Sequence, residues 1–326
     1  MQASTNEKYG NPEVLQLKEI PKPIPKENEL LIKVKATTVN RTDCAMLTAK
    51  PFIMRFLTGL FKPKNPILGT DFAGVVEAVG EKVTRFKVGD KVFGFDDNGL
   101  SSQAAYLTIP TTKAIITIPE NVNFTQAAAS IEGLHYAYNS INKVDFKAGQ
   151  KVLINGATGA IGSAMLQLVV HLGGVVTAVG NTKNIGLMKE LGAVKVIDYE
   201  KEDFTNDAEK YDYVFDTVGK STFGKCKSLL LPKGIYISSE LGPGAQNLFY
   251  ALLTPIFGGK KVVFPFPHKI PESLALVKKM MMDQKFKPVI DRTYPLKEIA
   301  DAYRYVLTGQ KTGNVVITYE HQEQKQ

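Results

Sequence analysis

A chain of 326 residues is long for one domain and short for three, so two domains are expected. With 44% hydrophobic and 22% charged residues it is neither disordered nor membrane-spanning, because no run approaches the roughly 20 uninterrupted apolar residues that a span needs. The net charge of +8 comes from Lys and Arg scattered along the chain, with no basic run or aromatic interleaving; a solvated basic surface whose field gathers an anionic cofactor is expected, rather than the alternative of nucleic-acid binding.

Met1 to Gly10 is polar and lacks the basic start and apolar run of a secretory signal. Cys44 and Cys226 are too few for a metal cluster and read as packing thiols of a reduced, cytoplasmic protein. Strand-type runs cut by Gly and Pro follow at Glu29–Lys35, Gly74–Val79, Lys91–Gly94, Ala104–Thr108 and Ala114–Thr117, which predicts an all-β, barrel-like first domain. Within it, Pro51–Phe61 is apolar with basic punctuation; a short amphipathic helix packed on the barrel is expected, or else a hydrophobic lid.

From Phe124 helical periods alternate with short apolar runs at Lys151–Asn155, Val175–Val179, Lys195–Ile197, Tyr213–Thr217 and Gly234–Ser238. Helix-length stretches such as Ala160–Leu172 and Asn184–Leu191 separate them, the pattern of a doubly wound parallel sheet. Gly242-Pro243-Gly244 reads as a turn into an apolar helix over Asn247–Phe257. A helix over Leu296–Leu307 and a strand over Asn314–Tyr319 close the pattern before the polar tail His321–Gln326. The expected domains are residues 1–122 completed by 291–326, and residues 123–290.

The run Val152 to Gly162 is an apolar strand leading through Gly156, Thr158 and Gly159 into a helix. Gly156 permits a tight turn, Gly159 leaves no Cβ where a backbone approaches a pyrophosphate, and Gly162 lets helix and strand lie close. The amides of Ala160 and Ile161 then face an anion from the positive end of the helix. The next strand ends in Asn181-Thr182-Lys183, without the carboxylate that binds the NAD ribose; two hydrogen-bonding side chains and a cation suit the 2′-phosphate of NADP. Tyr199 either adds a phenolic donor there or is a surface tyrosine.

The chain resembles the zinc-independent, quinone oxidoreductase-like group of the medium-chain dehydrogenase/reductase superfamily over nearly its whole length. The resemblance is carried by Lys8-Tyr9-Gly10, Thr38–Asp43, Leu68–Gly74, Phe86–Val92, the glycine run, Leu191-Gly192-Ala193, Val196–Tyr199, Phe215–Gly219 and Thr312–Val316. It implies a GroES-like catalytic domain, a Rossmann domain, a cleft where they meet and a homodimer. Zinc relatives carry Cys at the position of Asn40 and His-Glu at Thr70-Asp71, so neither the catalytic zinc nor the four-cysteine structural lobe is expected.

An acceptor reduced without a Lewis acid is a quinone or an α,β-unsaturated carbonyl, whose developing charge is delocalised onto oxygen. Asn40 is expected either to orient nicotinamide or substrate, or to stabilise a turn. His135, where relatives have Thr, is either a proton donor or a hydrogen-bonding replacement. By the same resemblance the loop Ser238–Gly242 and Val263–Phe266 hold the nicotinamide end, and Val218 binds the cofactor. The reading from another class is an NADPH-binding sensor or structural protein with a vestigial cleft.

Overall fold

The computed structural model describes residues 1–238 and 240–319; Ser239, His321 and the polar tail expected at the C-terminus lie outside the described residues. The chain forms two compact units. Unit 1 is Met1–Ile131, Ile270–Met282 and Val289–Gln326, and unit 2 is Glu132–Lys269 and Asp283–Pro288.

In chain order unit 1 starts with β1 (Gln2–Thr5) and β2 (Gln16–Glu19), an antiparallel pair. It continues with β3 (Glu29–Val39), α1 (Arg41–Thr48), α2 (Met54–Thr58), β4 (Asp71–Val79), β5 (Lys91–Phe95), β6 (Tyr106–Pro110) and β7 (Ile115–Thr117). The helix α3 (Phe124–Ile141) carries the chain into unit 2. There follow β8 (Lys151–Asn155), α4 (Ala160–His171), β9 (Val175–Gly180), α5 (Ile185–Glu190), β10 (Lys195–Asp198), β11 (Tyr211–Asp216), α6 (Phe223–Cys226), β12 (Leu230–Ser238), α7 (Gln246–Phe257) and β13 (Lys261–Val263). The elements α8 (Ile270–Met282), β14 (Ile290–Pro295), α9 (Ile299–Leu307) and β15 (Asn314–Thr318) return to unit 1.

Unit 1 is built on β3. Its first half pairs with β4 on one side and β6 on the other, and its last residues pair with β15, giving the order β14-β15-β3-β4-β5-β7. In β6 buried and half-exposed residues alternate, as a sheet with one wet face requires. Leu30, Ile32, Phe72, Val76 and Val92 fill the core beneath. A second cluster packs α1 and α9 through Leu47, Tyr303 and Val306. Unit 2 is a parallel sheet in the order β10-β9-β8-β11-β12-β13, which in the unit's own strand sequence is 3-2-1-4-5-6. Its central strand β8 is buried at four successive positions, as a strand covered on both faces must be. The α/β fold class, with a GroES-like unit and a Rossmann unit, is therefore the observed one.

Three expectations are corrected. The division falls inside α3, between Ile131 and Glu132, because the first turns of the helix that starts at Phe124, just past the expected boundary at residue 122, belong to unit 1. The helix α8 belongs to unit 1 rather than to the nucleotide-binding unit, tied there by the Lys278 ammonium donating to the Thr117 hydroxyl (2.6 Å). The segment Pro51–Phe61 holds only the five-residue α2, and Phe52, Ile53, Phe56, Leu57, Leu60 and Phe61 face outward; a helix so short presents no continuous stripe to a core, and Met54 alone reaches it.

Candidate functional site

The sheet of unit 2 reverses its winding between β8 and β11, and the crevice outside the carboxyl ends of these strands is where such sheets take ligands. The glycine run leaves β8 at this place. Gly156 has φ +78°, and a Cβ on it would lie 2.3 Å from Val218 Cγ1, so both its conformation and its neighbour require glycine. Gly162 lies against the Gly156 carbonyl, which a Cβ would meet at 2.0 Å.

Gly159 differs. Its φ of −72° suits any residue, and a Cβ there would find the nearest of its neighbours, the Gly156 carbonyl oxygen, at 3.7 Å. Nothing within the fold demands glycine at 159, and the side its Cβ would occupy is open. The helix α4 has no side-chain cap, and its first backbone bond is Ser163 N–H to the Gly159 carbonyl (2.9 Å). The amides of Ala160, Ile161 and Gly162 therefore precede the helical ladder and suit an anion. This arrangement fits the pyrophosphate of a dinucleotide.

Asp216, which residue-level reading passes over, organises the other wall. Buried at the end of β11, its carboxylate accepts from Asn155 Nδ2 (3.0 Å), the amides of Val218 (3.3 Å), Gly219 (3.1 Å) and Ser221 (3.1 Å), and the Tyr236 hydroxyl (3.0 Å). Val218 is thereby fixed over Gly156. An acid ending an apolar strand and followed three residues on by a glycine was the available signal. Ser238 stands beside Asp216 in the β11–β12 register, and its Oγ accepts from Glu240 N–H (3.2 Å). Phe264 and Phe266 follow β13 with ring centroids 5.0 Å apart.

The ends of β9 and β10 bring Asn181, Thr182, Lys183 and Tyr199 to one edge, with Tyr199 N–H donating to the Gly180 carbonyl (3.0 Å). Lys183 and Tyr199 are exposed. The expectation of an edge without carboxylates needs revision, because Thr182 donates through its hydroxyl to Asp198 (2.6 Å) and through its amide to Glu200 (3.1 Å). The Thr182 hydroxyl holds the Asp198 carboxyl below its usual range, so it stays anionic. Asn181 accepts from Asn184 Nδ2 (2.7 Å).

His135 is fully buried on α3, where Asn139 Nδ2 donates to its carbonyl (2.9 Å) and lies 3.3 Å from its Nδ1. Two residues before it, Gly133 lets α3 approach the start of α4, since a Cβ would meet the Ala160 carbonyl at 2.5 Å.

Asn40 lies in unit 1 and caps α1. Its Oδ1 accepts from Asp43 N–H (2.8 Å), Asp43 accepts in return from Asn40 N–H (3.0 Å), and Asn40 Nδ2 donates to the Thr70 hydroxyl (2.8 Å). Beside it Asp71 accepts from the Thr38 amide (2.7 Å), the Thr38 hydroxyl and the Thr37 hydroxyl (3.1 Å). Burial nevertheless pushes the Asp71 carboxyl up to about 6, and burial together with the nearby Asp71 pushes Asp43 well above the usual range. Asn40, Thr70 and Asp71 are thus each engaged with protein groups, and among the described residues no three His, Cys, Asp or Glu side chains converge as a metal site requires.

A GroES-like unit together with a Rossmann unit defines an oxidoreductase using a nicotinamide cofactor. Residues 26–120 match the family "Alcohol dehydrogenase GroES-like domain" and residues 191–317 match "Zinc-binding dehydrogenase", the latter name at odds with the ligand positions here. The chain is similar to 2-methylene-furan-3-one reductase of Solanum lycopersicum (31% identity, covering 97% of this chain and 79% of that one). It is also similar to the chloroplastic NADPH-dependent alkenal/one oxidoreductase of Arabidopsis thaliana (30%, 97% and 79%). The solved quinone oxidoreductase of Coxiella burnetii superposes with a TM-score of 0.85 at 27% identity, covering 98% of this chain and 99% of that one. The chain belongs to the quinone oxidoreductase-like group of the medium-chain dehydrogenase/reductase superfamily.

Proposed function

We propose that this protein is a cytoplasmic, zinc-independent reductase that binds NADPH and delivers hydride to a quinone or an α,β-unsaturated carbonyl. The observation that carries the reading is the uncapped start of α4, with a glycine at 159 that the fold itself does not need. Gly156, Thr158, Gly159, Ala160, Ile161 and Val218 hold the pyrophosphate, and Ser238 stands at the nicotinamide end. Asn181, Lys183 and Tyr199 receive the 2′-phosphate; Thr182 shapes that subsite by holding Asp198 and Glu200. A bound nicotinamide supplies the hydride.

Zinc independence is supported by the engagement of Asn40, Thr70 and Asp71 in protein hydrogen bonds. The acceptor class is supported by the names of the relatives, which are enone and quinone reductases. Cytoplasmic placement is supported by two buried thiols, Cys226 being pushed up to about 11 by burial and so inert. We assign Asn40 to holding α1 and His135 to hydrogen bonding within α3, without a fixed acid, since protonation of a delocalised enolate or quinolate needs only water.

A homodimer is supported by β13, which ends the sheet with one side unpartnered among the described residues, and by the exposed Phe249, Leu252 and Ile256 of the adjoining α7. Steady-state oxidation of NADPH by a simple quinone and a simple enone tests the assignment. Turnover of one or both, unchanged after exhaustive chelation, is expected; absence of turnover despite tight NADPH binding would support the sensor alternative.

A further inference from the structure

The segment from Lys50 to Lys64 stands apart from the catalytic reading. Six large apolar side chains within ten residues face outward: Phe52 (64% exposed), Ile53 (60%), Phe56 (66%), Leu57 (71%), Leu60 (46%) and Phe61 (87%). Single exposed apolar side chains are ordinary, whereas a contiguous group of this kind marks an interaction surface.

The segment is held in shape. The Tyr9 hydroxyl donates to the Gly59 carbonyl (2.6 Å) and lies 2.8 Å from the Thr58 hydroxyl. Arg55 donates to the Leu60 carbonyl (3.2 Å) with its guanidinium 5.0 Å from the Tyr9 ring. Gly59 takes φ +128°, and a Cβ there would meet the Lys62 carbonyl at 2.1 Å. The fold therefore projects these side chains outward. Lys50, Arg55, Lys62 and Lys64 accompany them, and no Asp or Glu occurs between residues 44 and 70. The carboxylate beside Lys62, Glu7, is already bonded to Lys18 (2.6 Å).

We propose that Lys50–Lys64 docks this protein on the surface of a bilayer containing anionic lipid, with Phe52, Ile53, Phe56, Leu57, Leu60 and Phe61 entering the headgroup boundary and the four cations facing lipid phosphates. Charge complementarity selects this occupant. Apolar tips ringed by Lys and Arg suit an interface that is apolar beneath and anionic above, whereas a second copy would set like charges against one another. No helix among the described residues is long and apolar enough to cross a membrane, and docking requires none.

The test is flotation of the full chain with vesicles of phosphatidylcholine, with and without a minority of phosphatidylglycerol, at low and moderate salt. Expected is binding to the anionic vesicles alone, weakened by salt. The pair Leu57→Ser with Phe61→Ser should lower it about tenfold or more, as should Lys62→Glu with Lys64→Glu, each with an unchanged melting temperature because these positions are exposed. The proposal is overturned if the unaltered chain does not float with anionic vesicles, or if both pairs bind as well as it does. Loss of self-association in the apolar pair without any vesicle binding would assign the surface to a second copy instead, and a changed KM for apolar acceptors without vesicle binding would assign it to the substrate; either overturns the docking.

Discussion

Around Asn181–Lys183 two influences on a 2′-phosphate compete. Lys183 offers an exposed cation, while Glu200 accepts the Thr182 amide close by and Asp198 remains anionic. A charge-assisted contact is worth about 1.5–3 kcal/mol, so Lys183→Asp should weaken NADPH binding roughly ten- to a hundredfold and leave NADH binding nearly unchanged. Glu200→Gln should move NADPH affinity the other way. Equal losses for both nucleotides in the Lys183 variant would remove that residue from the phosphate site.

Asp71 carries a separate consequence. Its carboxyl titrates near 6 in the folded protein, above its ordinary 3.8, so the folded state holds its proton more tightly than the unfolded one. That contribution is complete below about pH 4 and is lost as pH rises through about 6, up to about 3 kcal/mol in all. Denaturant midpoints of Asp71→Asn should therefore improve relative to the parent between pH 5 and pH 7.5. A constant difference across that range would contradict the raised value.

The element that most rewards comparison with the sequence is the β8-to-α4 turn. Its glycines were legible as a spaced run between an apolar strand and a helix, yet the sequence alone does not separate a glycine the fold needs from one a ligand needs. The structure separates them, and predicts that Gly162→Ala destabilises by about 2 kcal/mol through overpacking. Gly159→Ala should melt like the parent but bind dinucleotide at least tenfold more weakly. Thermal unfolding and nucleotide titration of both variants check this; parent-like binding by Gly159→Ala would remove the ligand explanation.

The parallel strands of unit 2 were legible from their apolar runs, and the turn-stabilising alternative for Asn40 corresponds to the cap it forms on α1. The continuation of β3 through Ala36–Val39 was not, because its partner β15 lies nearly three hundred residues away in the chain. Nor were the carboxylates beside Thr182, which only the pairing of β9 with β10 brings there. For Pro51–Phe61 the apolar pattern does not separate a packed helix from an outward-facing segment, since hydrophobic periodicity cannot say which neighbours exist.

For the whole molecule, the open edge of β13 and the exposed face of α7 make self-association the prediction at this scale. Leu252→Glu, at a position 69% exposed, should leave the fold intact and shift sedimentation from dimer to monomer. A dimer that survives this substitution would place the interface elsewhere.

The most direct measurement is a fluorescence titration of the purified protein with NADPH and NADH. The account predicts saturable enhancement of nicotinamide emission with NADPH bound at least tenfold more tightly than NADH, the size a single charge-assisted phosphate contact supplies. No saturable binding of either nucleotide would contradict the assignment of the α4 start as a dinucleotide cradle, and preference for NADH would contradict the role given to Lys183.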